Sequence, residues 1–519
     1  MATNGLTYTD APRSDCPTPM IMSLLLPLTL MPLGAMDAYG AESREIGNDK
    51  QLLVDEDMVG SLDGAVFTLN PARRAQRVLI ATEPWEAAGL GFCTVIRDGE
   101  TFRMWYGAWT YEESIKGHWM QRVCYAESPD GTQWTKPKLG QYEFEGSRDN
   151  NILSVGYCGY AHAGSVFIDP NARDDAERYK MIFGDFYRVY PYEGCPRHTT
   201  VSGAVSPDGI HWSSVKTPHG VIMPAGTDTQ NVVVYDRRLG KYVAYVRRNV
   251  YRKDDKGERY GPSSRRIGRS QSDTFDSFPK PVEILGPDEQ DPGGAFGSGL
   301  YNTAATIYPY APGLYLLFPT LMNYQTQLCT IQLATSRDGI NVERRFREPY
   351  VLPNPNAKRV ATQTGYTAYM APGMSRMGDE IWMYGVEQEA PHDGNWYGRR
   401  VPGGIHRYVQ RLDGFVSLDA GKDLGSVTTK VFALRGEGLQ INADATCSPT
   451  LSSVVVQVQD PEGKVLATSA PLRADGVALE PVWEGRGDLS EFAGQPVRLR
   501  FTMRYAKLYA FEVVKAGEQ

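Results

Sequence analysis

Acidic, aromatic and amide side chains gather at the ends of short apolar segments along this 519-residue chain. "TEPWE" carries Glu83, Trp85 and Glu86, and Trp109, Glu112 and Glu113 follow "FRMWYGA". His162 stands in "YAHAG", Asp185 in "FGDF", and Asp228 with Asn231 in "TDTQN". Arg247 and Arg248 leave one apolar run, Tyr301 and Asn302 enter another, and "VEQEAPHD" holds Glu387, Glu389, His392 and Asp393. Carboxylates beside rings and amides suit a sugar. Its rings stack on tryptophan, its hydroxyls bond to Asp, Asn and Arg, and two carboxyl groups can work on a glycosidic bond.

Glu86, Asp185 and Asp228 are the candidates for the catalytic pair, with Glu387 in reserve, because they end segments in different parts of the chain. His162, Asn231, Arg247, Asn302 and His392 are candidates for holding hydroxyls or a carboxylate, and Trp85 or Trp109 for stacking on the ring. Arg247 and Arg248 leave open an anionic sugar. A carboxyl separation of about 5–5.5 Å predicts retention of configuration, and about 6.5–9.5 Å predicts inversion. Asp98, Asp130, Asp208, Asp236 and Asp338 sit in turn sequences and read as turn caps.

The elements that must position these groups repeat. "YAESPDGTQWTKP" from Tyr125 returns as "GAVSPDGIHWSSV" from Gly203 and "LATSRDGINVERR" from Leu333, with a weaker copy, "RSQSDTFDSFPKP", from Arg269. Each pairs an alternating strand with a Ser-x-Asp-Gly turn, where Asp accepts backbone N–H groups and Gly tolerates positive φ. Trp134 and Trp212 follow where a return strand presents them to a neighbouring unit. Between the copies lie strand–turn–strand openings from Phe92, Gly164, Asn231, Asn302 and Tyr366. Strand-only repeats of this length predict an all-β fold, a five-bladed β-propeller over residues 80–413 whose central funnel carries the site. The aromatic residue of each hairpin is expected to seal one blade against the next. Residues 414–519 alternate apolar and polar positions, with turns such as Pro461-Glu462-Gly463, and predict a C-terminal β-sandwich. Residues 41–79 supply the strands that close the ring.

A formal charge of −7 argues against a nucleic-acid groove, which needs a basic stripe. "MIMSLLLPLTLMPL" from Met20 is too short for a comfortable membrane span, and "AYG" at Ala38–Gly40 offers small residues for signal cleavage. Residues 1–40 therefore read as a signal region, and the mature protein as secreted or periplasmic with no membrane span. Cys93, Cys124, Cys158, Cys195, Cys329 and Cys447 lack CxxC spacing, so no metal site or cofactor is expected. Cys93 with Cys124, or Cys158 with Cys195, can bridge in an oxidising compartment; buried free thiols are the other state.

"QLLVDEDMV", "TEPWE", "FRMWYGAW", "TDTQNVVVYDRRLGKYVAYVR" and "RLDGFVSLDAG" resemble secreted bacterial proteins related to glycoside hydrolase family 32. That group is similar to the five-bladed propeller glycosidases of families 32, 43, 62, 68, 117 and 130. The resemblance runs from about Gln51 through the terminal sandwich and implies a glycoside hydrolase. Family 32 enzymes carry catalytic acids in "NDPNG", "RDP" and "EC". None is present in full here, and "FIDP" around Asp169 is an echo that fits a hairpin turn. The expectation is a secreted hydrolase of a polysaccharide or oligosaccharide, working through two funnel carboxylates. The alternative is a non-catalytic carbohydrate-binding propeller, distinguished by a funnel with no facing carboxylate pair.

Overall fold

The computed structural model describes residues 43–112, 118–156, 161–186, 199–225, 227–353, 359–360, 363–364, 366–392 and 403–515. The expected signal region, Cys16, Cys158, Cys195, Glu113 and Asp393 lie outside them, as do the side chains of Glu112 and Asp185.

Period-two alternation makes strands, and the strands assemble into radial sheets. Blade one runs Gly89–Asp98, Thr101–Glu112, His118–Ser128. Blade two runs His162–Ile168, Tyr179–Phe186, Thr199–Ser206, with short edge pieces at Ser213–Ser214 and Val221–Met223. Blade three runs Val232–Asp236, Lys241–Lys253, Arg259–Ser272, Val282–Leu285. In blade four, Ser298–Ile307 pairs with Tyr315–Asn323, which pairs in turn with Cys329–Ile331 and Ala334–Ser336. Blade five begins with Thr367–Met370, Glu380–Gln388 and Gly403–Arg411. Its outer strand is Arg73–Leu79, from the other end of the chain. The first strands touch in order from blade one to blade five, and the second and third strands of blade five reach the first strand of blade one. The ring is closed.

The rest of the amino-terminal segment goes elsewhere. Ala65–Leu69 pairs with Val416–Ala420, and Val59–Asp63 with Gly425–Thr429, so each adds an edge to one sheet of the terminal sandwich. Only Arg73–Leu79 closes the ring. Between the sandwich sheets, Leu418, Phe432, Val456, Phe501, Leu508 and Phe511 are fully buried.

The repeated Ser-x-Asp-Gly turn does what its residues predict, three times. Asp130 Oδ1 accepts the backbone N–H groups of Thr132 and Gln133, and Asp208 and Asp338 do the same in their copies. These bonds favour the ionised carboxyl and hold all three at about 2. The blade-to-blade seal is aromatic as expected, with Trp134 edge-on to Tyr384 of blade five at 6.0 Å, and hydrogen bonds to the turn glycines add to it. Each turn glycine offers its carbonyl to an aromatic donor of the preceding blade: Tyr384 to Gly131, Trp105 to Gly209, Tyr245 to Gly339. Trp134 and Trp212 are only half-buried, and their indole N–H groups bond back to Gly131 and Gly209 of their own turns. Replacing them by Ala is therefore expected to cost less than the ~3–5 kcal/mol of a fully buried tryptophan.

Gly209 is the more sensitive position. Its φ is 77°, and a Cβ there would lie 2.7 Å from the Trp105 ring. Gly209→Ala meets a backbone penalty and a clash together, and is expected to destabilise by about 2–3 kcal/mol. Urea unfolding of the variant checks this; an unchanged midpoint would show that the seal is loose.

Candidate functional site

In every blade, the start of the first strand and the end of the second lie side by side at one end of the ring. Antiparallel register dictates this: Gly89 faces Trp109, His162 faces Gly184, and Thr367 faces Gln388. Side chains from those positions meet at the axis. Phe92, Ala163, Tyr301, Met322, Cys329, Tyr369 and Val386, from blades one, two, four and five, form a single buried cluster.

Polar groups from blades two to five cap that cluster. His162 opens blade two, fully enclosed, with its Nε2 3.0 Å from the carbonyl oxygen of Asp228 and its ring edge-on to Trp109 at 5.6 Å. Burial, reinforced by the cationic Arg247, pushes its imidazole down to about 3. Asp228 lies in the loop entering blade three and forms an ion pair with Arg247 of the second strand. Asn231 organises that loop: its Oδ1 accepts the Arg247 N–H at 3.1 Å, and its Nδ2 donates to the Thr229 carbonyl at 2.9 Å. Gln230 reaches across the floor to the carbonyls of Cys93 and Gly164, in blades one and two, at 2.9 and 3.2 Å.

Tyr301 is the hub. The guanidinium carbons of Arg247 and Arg265 lie 5.2 and 5.1 Å from its ring centre, with His392 at 4.6 Å and Tyr369 at 5.4 Å. His392 Nδ1 is 3.2 Å from the Tyr369 hydroxyl. Next to Tyr301, Asn302 is fully buried, and among the described residues neither amide atom finds a partner. Arg247 Nε and Nη1 are in the same condition. A buried amide and guanidinium without partners cost free energy unless something else satisfies them.

Several sequence candidates thus meet: Asp228, His162, Arg247 and His392, with Trp109 alongside and Asn231 behind them as a brace, while Asn302 is placed only as the chain neighbour of Tyr301. Others do not. Glu86 is completely buried on the outer side of blade one. Its carboxylate accepts the backbone N–H groups of Thr82 and Glu83, the Tyr106 hydroxyl at 2.7 Å and Lys136 Nζ at 2.7 Å. It caps a short helical turn, Pro84–Glu86, and has no free face for a substrate. Trp85 beside it bonds through Nε1 to Asn151 and packs on Phe144, so it stacks on protein, not sugar.

Glu387 is also buried, but toward the outer strands, where Arg74 Nε and the Tyr408 hydroxyl each approach at 2.8 Å. It ties the closing strand into blade five. Arg248 points away from its neighbour Arg247, as successive strand residues must, and bonds to the Pro281 carbonyl. Asp169 of "FIDP" accepts the Tyr242 hydroxyl at 2.7 Å in a hairpin turn. Cys93 and Cys124, offered as a bridge, are buried free thiols. The backbone of Asp185 pairs with Thr200 near the funnel end of blade two.

Arg265, Tyr324, Tyr369 and Phe92 were not legible as site residues. Arg265 lies in the third strand of blade three and reaches the axis only because the long hairpin sets its register: Asn249 faces Arg265, and Arg247 faces Ile267.

His162 gives a pH prediction. Its ordinary value is 6.5, and in the fold it is about 3, so only the unfolded chain takes up its proton between those limits. Its contribution is complete above pH 6.5 and is lost as pH falls toward 3, by at most about 1.4 kcal/mol per pH unit. Melting curves from pH 7.5 to 4.5 should fall less steeply for His162→Gln than for the parent. Parallel curves would mean that His162 titrates normally.

No protein-family model matches the chain. Two curated relatives, Uncharacterized protein Rv1502 of Mycobacterium tuberculosis strain H37Rv and Uncharacterized protein MT1551 of strain CDC 1551, are each 28% identical over 177 residues. That alignment covers 32% of this chain and 49% of each relative, so the chain matches about half their length. Among solved structures, the chain is similar to a glycosyl hydrolase from Bacteroides ovatus (14% identity, TM-score 0.42, 70% of this chain and 97% of that one). It is also similar to a glycoside hydrolase family 43 arabinoxylan arabinofuranohydrolase from Bacillus subtilis (12% identity, TM-score 0.38, 83% and 96%). A third is an N-acetylgalactosamine deacetylase from F. plautii (14% identity, TM-score 0.41, 67% and 96%).

Proposed function

We propose that the protein is a glycoside hydrolase that holds one sugar unit at the mouth of the funnel. The observation that supports this most is the convergence of Asp228, Arg247, His162 and His392 from different blades on one aromatic cluster. Asp228 is the anionic half of an ion pair with its side chain half-exposed, which suits it to act as base or nucleophile. Asp185, from blade two, is the second carboxylate of the proposal. Asn302 and the unmet nitrogens of Arg247 are suited to receive sugar oxygens. The tyrosine faces are already covered by guanidinium groups and by each other, so polar contacts, not stacking, dominate recognition.

A second reading, a carbohydrate-binding propeller without activity, is favoured by one observation. Among the described side chains of the cluster, Asp228 is the single carboxylate. Incubating purified protein with a panel of plant, algal and microbial polysaccharides, and counting new reducing ends, separates the two. Release from at least one glycan is expected; saturable binding with no release across the panel would leave the binding reading.

Export through the apolar run at Met20–Leu33 belongs to the same proposal. The expected mature protein begins near residue 41 and is found outside the cytosol; an intact mass that includes Met1 would defeat it.

A further inference from the structure

The charge around Tyr301 does not balance. Arg247 and Arg265 both lie over its ring, yet Asp228 is the only carboxylate among the described residues that pairs with either. Arg265 bonds to Met322 Sδ and stacks on Tyr324 as well as Tyr301, with no acidic partner among the described residues. Glu389, which follows the second strand of blade five, approaches Arg77 at 3.9 Å. His162 cannot be counted as a further cation, nor does it offset one. Among the described side chains, two guanidinium groups stand against one carboxylate, and Arg265 is the one left without an acidic partner. A part-buried guanidinium with no anion beside it is open to the negative charge of a ligand. Arg247, 5% exposed, also has two nitrogens without partners, and Asn302, 1% exposed, has both amide atoms free.

Resting on the carbohydrate reading above, we propose that the sugar bound in the funnel carries an oxyanion, a carboxylate or a sulfate ester, received between Arg265 and Arg247. The planar guanidinium fork matches both groups, and a charge-assisted pair is roughly twice as strong as a neutral hydrogen bond. Asn302 takes a neighbouring hydroxyl, since its amide can both donate and accept. Arg247 stays paired with Asp228, so the oxyanion neutralises Arg265 and leaves the carboxylate in place for chemistry.

Calorimetric titration of the full chain tests this at fixed ionic strength. The carboxylate arm compares trigalacturonate with galactotriose, and the sulfate arm compares a 4-O-sulfated chondroitin disaccharide with its unsulfated form. In one arm the acidic probe should bind about tenfold more tightly than its neutral partner, or better. Arg265→Gln should erase that preference, and Arg265→Lys should restore part of it. Arg265 is part-buried over two tyrosine rings, so circular dichroism and the melting temperature of each variant are read alongside its binding. Equal or absent binding of acidic and neutral probes in both arms overturns the inference, as does a preference that survives Arg265→Gln. The hydrolase reading fails separately. Cleavage of neutral glycans without acidic preference would sink only the oxyanion, and acid-dependent binding without cleavage would sink only the hydrolysis.

Discussion

Asp228→Asn is expected to lower turnover of a cleaved glycan by about 10²–10⁴-fold, the range lost when a positioned acid–base group is removed. The amide keeps the size and the hydrogen-bonding oxygen of the carboxylate but cannot take a proton or attack a sugar carbon. Some stability should also be lost, because Arg247 is buried and Asp228 is its only anionic partner among the described residues. Activity is therefore to be read per folded molecule, with circular dichroism confirming the fold. Asp130→Asn is the matched control: it removes a carboxylate from a turn at the periphery and should leave turnover unchanged. Normal turnover by Asp228→Asn would place the chemistry elsewhere. The carboxylate's partner across the funnel decides the stereochemical outcome, so the anomer released by the parent protein gives the spacing of the pair independently.

What could be read in advance was whatever is decided within a few residues. The Ser-x-Asp-Gly turns were legible because Asp130, Asp208 and Asp338 act on N–H groups two and three positions on. His162, Asp228, Arg247 and Asn302 could be chosen because each lies near a strand end expected from the sequence, and radial sheets bring such ends to the axis. In the structure His162 begins a strand, Asp228 lies in a loop, and Arg247 and Asn302 fall within longer strands. Glu86 and Glu387 satisfied the same rule and were misplaced. What decides them is distant: Lys136 lies 50 residues from Glu86, and Arg74 lies 313 residues from Glu387. No local pattern announces that a strand-end acid already has a cation. Arg265 was invisible for a related reason, since its approach to Tyr301 depends on the register of a long hairpin. The Trp134 and Trp212 indoles stood out by type, yet the buried seal belongs to Trp105, Tyr245 and Tyr384, whose partners are 104, 94 and 253 residues away.

Arg74→Ala is expected to destabilise the protein by about 3–5 kcal/mol, the cost of leaving a buried charge without its partner. Arg74 sits on the strand that closes the ring, and its Nε meets Glu387 at 2.8 Å while its Nη2 reaches the Leu352 carbonyl and the Tyr366 hydroxyl. Glu387 is 2% exposed, and its second oxygen has no hydrogen-bond partner among the described residues. Nothing else nearby replaces the guanidinium. Tyr408 already donates to the first oxygen, and His406 stands 3.9 Å from the second with its imidazole pushed down by burial. Opening this contact also loosens the joint between the two ends of the propeller, so unfolding should begin at blade five. Hydrogen exchange there should rise before exchange in blade three. The double variant Arg74→Met with Glu387→Leu isolates the charge from the packing. If the cost is an uncompensated carboxylate, the pair should recover much of the stability lost by Arg74→Ala, because no charge remains buried. If the double variant is worse than Arg74→Ala, the pair contributes net stability and the desolvation argument fails. If instead the single change leaves the melting temperature intact and abolishes turnover, Glu387 belongs in the funnel after all.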